Sequence, residues 1–264
     1  MRRAALALAL VFAVAPAFAG QEEDARAANA IRVLNDSLAI PESAIPDKLL
    51  DEARAIVIVP DTIKAGLVFG GRRGLGLMSV KNPDNTWSNP AFVKLVGGSV
   101  GLQAGVQAAD VILVFRSDRG VADIVNGKFT LGADAAVAAG PVGRNAATAT
   151  DGQLKAEIWS WSRARGLFAG IALDGAMLKI DDEANQAMYG QGATPRMIFE
   201  GRAPQSGGAQ AAAVRDALEE ATATARARRG ESAPAAQQPA APAASPAAPA
   251  PAGEAGEVKT TPLP

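Results

Sequence analysis

Residues 22–39, EEDARAANAIRVLNDSLA, place Ala28, Ile31, Leu34 and Leu38 at helical spacing, with Glu22, Glu23 and Asp24 in the first turn. That periodicity predicts an amphipathic helix, and acids at its start suit the helix dipole. Pro41 ends it. The next stretch, PDKLLDEARA, predicts a short second helix with Pro46 at its first position and Leu49, Leu50 and Ala53 on one side.

From Ile56 the pattern changes. AIVIVP, GLVFGG, LGLMSV, AFVKLV, SVGLQAGV and VILVFRS are short apolar runs broken by Gly, Pro, Asn or Asp, which predict strands. NPDN at 82–85 predicts a turn between two of them. RGVADIVNG predicts a short helix, followed by further runs in KFTLGADAAVAAG, AEIWSWSRA, GLFAGIALDG and AMLKID. DDEANQAMYG predicts a small closing helix with Gly190 as its stop. Residues 209–229, rich in Ala with Leu218 and several arginines, predict an exposed helix.

LVFGGRRGLGLMSV (67–80) sets glycines beside two arginines and raises the question of a phosphate loop. The P-loop has four residues between its glycines, then Lys and Ser or Thr, and opens a helix; this run has none of that order. The dinucleotide fingerprint fails too, because Ser79 stands where its third glycine belongs. Glycine recurs in later runs at Gly97, Gly98, Gly101, Gly105, Gly132 and Gly140. Inside strands it marks bulges, coiling or close backbone approach. The expected fold is therefore α+β, with N-terminal helices packed on a Gly-rich, strongly coiled antiparallel sheet, barrel- or sandwich-like.

The chain ends modify this picture. MRRAALALALVFAVAPAFAG carries Arg2 and Arg3, an apolar run and Ala17-Phe18-Ala19 ahead of Gly20, the pattern of a secretory signal peptide cut after Ala19. Its apolar run falls short of a bilayer span of about 20 residues, and no later segment reaches that length. The mature chain is expected in the periplasm or secreted. Residues 231–264 hold eight of the 17 prolines and no aromatic, and predict a disordered Pro/Ala tail. The expected domain runs over 20–200, with an Ala-rich helical segment at 201–230 between it and the tail.

Cysteine and histidine are both absent from the 264 residues. No disulfide can form, and no cysteine is available for lipid attachment. Ser-His-Asp and Cys-His arrangements and the usual zinc sites are excluded. DDEAN lacks the spacing of an EF-hand and reads as a helix N-terminus. No catalytic site, metal or cofactor is expected; a net charge of -1 gives no general pull toward nucleic acid. Trp159 and Trp161 alternate in IWSWS and so share one strand face, with the core as the better reading. Lys64, Arg72, Arg73, Lys94, Lys155, Arg163 and Arg165 lie near the glycine runs. Two readings of them stay open: an anion-binding surface, or charged strand edges that deter pairing.

The ordered blocks IPDKLLDEARAIVIVP, GLVFGGRRGLGLM, WSNPAFVKLVGGSVGLQAGVQAADVILVF, GKFTLGADAAVAAGPVGR and AEIWSWSRARGLFAGIALDGA resemble the SYLF domain family over roughly residues 25–200. LGADAAVAAGPVGR and SRARGLFAGIALDG are the most specific parts. The family is a lipid-binding module also described as a yeast actin-binding domain. The resemblance implies helices on a coiled antiparallel sheet and binding to acidic lipid head groups; actin binding is not expected of an exported protein. Residues 22–39 correspond to a helix linked to membrane contact in some members, but their acids outnumber Arg26 and Arg32, which opposes docking on an anionic bilayer. The expectation is a non-enzymatic periplasmic module that binds acidic phospholipid or another anionic envelope component. Arg72 and Arg73 would meet the anion, with Lys64 and Lys94 as supporting charge. The alternative is a scaffolding protein that binds an envelope protein partner, with the tail as spacer.

Overall fold

The computed structural model describes residues 20–66, 69–100, 105–143, 156–164 and 166–232. Helix α1 spans Gln21–Ala39 with its acids in the first turn. Its buried stripe is Ala27, Ala30, Val33, Leu34 and Ser37, while Ala28 is exposed and Ile31 and Leu38 only flank the core. The stripe is thus rotated from the expected one, and small Ala27 and Ala30 let the helix lie close on its neighbours. Helix α2 (Asp47–Asp51) begins one residue later than expected, with Pro46 as its N-cap.

Strands β1 (Ala55–Gly66), β2 (Phe69–Val80), β3 (Ala91–Val100) and β4 (Gly105–Phe115) are long. Helix α3 (Asp118–Val125) follows, then β5 (Lys128–Thr130), β6 (Val137–Ala139), β7 (Ile158–Ala164), β8 (Leu167–Gly170) and β9 (Met177–Ile180). Together they make one curled sheet, a half-barrel in the order β5-β9-β3-β2-β1-β4-β7-β6, with β8 paired to β7. The α+β class holds. One detail of the expectation does not: β6 pairs with β7 in parallel, whereas every other pair is antiparallel. Two parallel strands in succession need a crossover, and the chain between Ala139 and Ile158 supplies the length for one.

The glycines of 67–80 lie in β2, so this run is a strand and no helix follows it. Beside it, β1 carries a bulge between Val59 and Thr62, with Pro60 at the irregularity and Asp61 at φ 46. A Cβ on Gly74 would collide with Val59 and Thr62, and one on Gly76 with the Ile58 carbonyl. These glycines therefore admit the bulged strand. Gly140 does the same for the Trp161 ring, into which a Cβ would project.

Helices α4 (Asp182–Tyr189), α5 (Pro195–Phe199) and α6 (Gly208–Ser232) complete the chain described. Asp181 caps α4 by accepting from the Ala184 amide, and Gly190 at φ 92 ends it, as the sequence predicts. Helix α6 corrects an expectation. It forms, but it is not an exposed appendage: Ala211, Val214, Leu218 and Ala225 are buried. Trp87 Nε1 donates to Thr222 Oγ1 at 3.1 Å, and Arg226 and Arg229 pair with Asp51 of α2. The core therefore continues well past residue 200, with α6 packed against both α1 and α2. Trp159 and Trp161 are core residues at 8% and 0% exposure.

Candidate functional site

The expected signal segment, the tail beyond Ser232, Lys155 and Arg165 lie outside the described residues. The four cations singled out from the sequence are placed by strand register. Lys64 of β1 is opposite Arg72 of β2 on one side and Gln107 of β4 on the other. Cross-strand partners share a face, so Lys64, Arg72 and Gln107 form a row across three strands. Arg73 points to the other face, because neighbours in a strand alternate. It stands opposite Ile63, and with Leu75 and Ala25 it lines a groove of about 500 Å³ between α1 and the sheet.

Lys94 is not a fourth free charge. Its Nζ lies 2.8 Å from Asp181 Oδ1, and Arg26 reaches the other carboxylate oxygen at 3.2 Å while its guanidinium sits over the Phe92 ring. Burial pushes the Asp181 carboxyl up, but the hydrogen bonds from Lys94 and the Ala184 amide and the nearby charges of Lys94 and Arg26 hold it below its ordinary value. Arg163 is likewise paired, with Asp110 and Asp36. Arg73 and Lys94 share one cleft with Arg26, but Glu22, Glu23, Asp181 and Glu183 line it too, and Lys64 and Arg72 stand on the other face of the sheet.

What the structure does gather is one end of the sheet. Beyond the β1 bulge, the ends of β1 and β2 and the facing parts of β3 and β4 run on together, Phe69 opposite Val100 and Gly66 opposite both Gly70 and Gly105. Lys64 and Arg73 are exposed there, Arg72 is half-buried, and none of the three makes an ion pair among the described residues. Burial lowers the Arg72 pKa from its ordinary value. A partly desolvated cation without a carboxylate favours the arrival of an anion. Ile63 at 51% and Val106 at 75% exposure stand on the Arg73 face of this end, two positions apart across the β1–β4 pair. Leu167, 60% exposed, opens β8 at the same end, since Ala164, its partner, follows Arg163 opposite Asp110. Sequence reasoning missed these apolar residues: IKAG and AGVQAAD continue the alternation of the buried strands, which gives no sign of where the core stops.

Tyr189 is fully buried and donates to the Pro90 carbonyl at 2.6 Å. Burial pushes its pKa well up, so it serves the core and holds its proton. Helix α1 turns its apolar side inward and is pinned at both ends by ion pairs, Arg26 to Asp181 and Asp36 to Arg163. Among the described residues no helix is long and apolar enough to cross a membrane.

Comparison with known proteins places this architecture. A family described as "Las17-binding protein actin regulator" (Ysc84) matches residues 96–221, from the middle of β3 into α6. Over these residues the chain matches the SYLF (Ysc84) family. Among its relatives, Protein YSC84 of Saccharomyces cerevisiae is 34% identical over 165 residues, covering 61% of this chain and 35% of its own length. LAS seventeen-binding protein 3 of the same yeast is 33% identical, covering 61% and 36%. The human SH3 domain-containing YSC84-like protein 1 is 32% identical, covering 62% and 48%. The chain therefore spans a third to a half of the length of these relatives. The SYLF family match ends inside α6, in agreement with a core that reaches beyond residue 200.

Proposed function

We propose that this chain is a non-enzymatic module of the cell envelope that docks on acidic phospholipid through the free end of its sheet. The observation that carries the reading is the row of Lys64 and Arg72, with Arg73 on the reverse face, standing without carboxylate partners beside exposed apolar side chains. Elsewhere on the chain the arginines Arg26, Arg163, Arg226 and Arg229 are each matched to acids. A surface cation near an anionic bilayer contributes about 1 kcal/mol, and three together suffice for reversible docking that weakens with salt. The signal-peptide pattern at residues 1–19 supports an envelope location. Cosedimentation with phosphatidylglycerol-containing vesicles tests this: wild type should pellet, and Lys64→Ala/Arg72→Ala/Arg73→Ala should stay in the supernatant.

A protein partner is the second reading, favoured by the relatives named for binding Las17. Under it the same chain binds no vesicles of any composition, and its partner is captured whether or not the three cations are present.

A further inference from the structure

We infer that Lys81, Arg54 and Arg116 form a phosphate-binding site at the end of the sheet remote from Lys64 and Arg72. The site stands apart from the lipid reading above and does not rest on it. Ala55 is opposite Val80 on one side and Phe115 on the other. One step earlier, the Lys81 amide donates to the Arg54 carbonyl at 2.8 Å and the Arg54 amide to the Phe115 carbonyl at 2.7 Å. The register thus runs on and sets Lys81, Arg54 and Arg116 side by side. Cross-strand partners share a face, and all three residues line one cleft of about 310 Å³. Adjacent strands lie about 4.8 Å apart, so three long cationic side chains converge on a space that one tetrahedral anion can fill.

Like charges directly opposite each other in a sheet are destabilising, and the neighbouring acids do not cancel this row. The two oxygens of Asp51 are engaged by Arg226 and Arg229 of α6, and Glu52 is shared between Arg116 at 3.3 Å and Arg229 at 3.6 Å. Lys81 is 8% exposed; its ammonium donates to the Asp51 backbone carbonyl at 2.7 Å, lies over the Trp87 ring and makes no ion pair among the described residues. Burial lowers its pKa from the ordinary value; Asp51 opposes that fall, and Arg226 and Arg54 add to it. Arg54 reaches only Asp118, at 3.9 Å on a mostly exposed side chain. A buried ammonium beside a guanidinium so weakly compensated stabilises an incoming anion. The lining selects the kind of anion. Apart from Ala53 it is polar or charged, with Asn85 of the 82–85 turn as a neutral donor, so no acyl chain lodges there. Donors from three strands suit the oxygens of a phosphate better than the two of a carboxylate.

Calorimetric titration of the full chain with inorganic phosphate, in chloride at constant ionic strength, tests the site. One saturable site is expected. Arg54→Gln leaves the buried contacts of Lys81 in place and should bind about tenfold more weakly. Arg202→Gln removes the same charge from an exposed position ahead of α6 and should bind as wild type does. Absence of saturable binding, an Arg54→Gln isotherm that matches wild type, or equal weakening by Arg202→Gln overturns the site. Vesicles containing phosphatidic acid then separate the two sources of the phosphate. Arg54→Gln pellets less than wild type if the cleft takes a lipid headgroup, and equally if it takes a soluble phosphate. Loss of phosphate binding leaves docking through Lys64 and Arg72 standing, and failure of that docking leaves this site standing.

Discussion

Arg163 grips Asp110 with two nitrogens, Nε at 3.0 Å and Nη2 at 2.7 Å from the same carboxylate oxygen. The other Asp110 oxygen accepts from the amide of Asp61, the residue held at positive φ in the β1 bulge. Arg163 Nη1 reaches Asp36 of α1, and its guanidinium lies over Phe168. One buried pair thus joins β4, β7, β8, the bulge and α1. Asp110→Ala should cost about 1–3 kcal/mol, because it leaves the Asp61 amide without its acceptor and Arg163 with Asp36 alone. Arg163→Lys should cost less yet still be destabilising, since an ammonium cannot reproduce the fork. Urea unfolding monitored at the tryptophans measures both; an unchanged midpoint for Asp110→Ala contradicts the role assigned to the pair.

The β2 glycines provide a contrast within one strand. Gly76→Ala drives a methyl onto the Ile58 carbonyl and Val59, and should destabilise by about 1–3 kcal/mol. Gly71→Ala meets nothing within 4 Å and should stay within about 0.5 kcal/mol of wild type. Equal effects at the two positions would contradict the close-approach account.

How much of this was legible beforehand divides along physical lines. The β2 glycines were readable as strand residues because the motif order of a phosphate loop was absent, and Asp181 and Gly190 were readable as helix punctuation. The parallel β6–β7 pair was not, since short apolar runs carry no sign of strand direction. Nor was the burial of α6, whose core contacts are mostly alanines that score as helix formers whether buried or not. The candidate site was half legible: Lys64, Arg72 and Arg73 stand together at one end, but Lys94 is committed to Asp181, a carboxylate 87 positions away in sequence that spacing cannot foresee.

Acid should expose that commitment. The Asp181 carboxyl lies below its ordinary value in the folded chain, so its stabilising contribution is complete above the unfolded value of about 3.9 and is lost as pH falls through the lower native one. Its surroundings are Lys94, Arg26 and, in the adjoining cleft, Arg73, Glu22, Glu23 and Glu183. The stability gap between wild type and Asp181→Asn should be widest above about pH 5 and shrink below about pH 4. Denaturant titrations at several pH values read this directly, and a gap that does not change with pH contradicts it.

Helix α6 sets the extent of the domain. A chain ending at Gln205 loses the partners of Trp87 and Asp51 and leaves Leu218's site empty, and should unfold at markedly lower temperature. A chain ending at Ser232 keeps every contact described and should match the full chain. Calorimetry distinguishes them; equal melting of the Gln205 and Ser232 chains would return α6 to the status of an appendage.

The central claim concerns Lys64, Arg72 and Arg73 as a free cationic end that meets acidic lipid. Its most direct measurement is the fraction of full chain pelleted by anionic and by neutral vesicles across a salt series. The account predicts pelleting with anionic vesicles only, declining as salt rises and abolished when the three cations are replaced by alanine. Equal pelleting with both vesicle types, or binding untouched by the triple replacement, would contradict it.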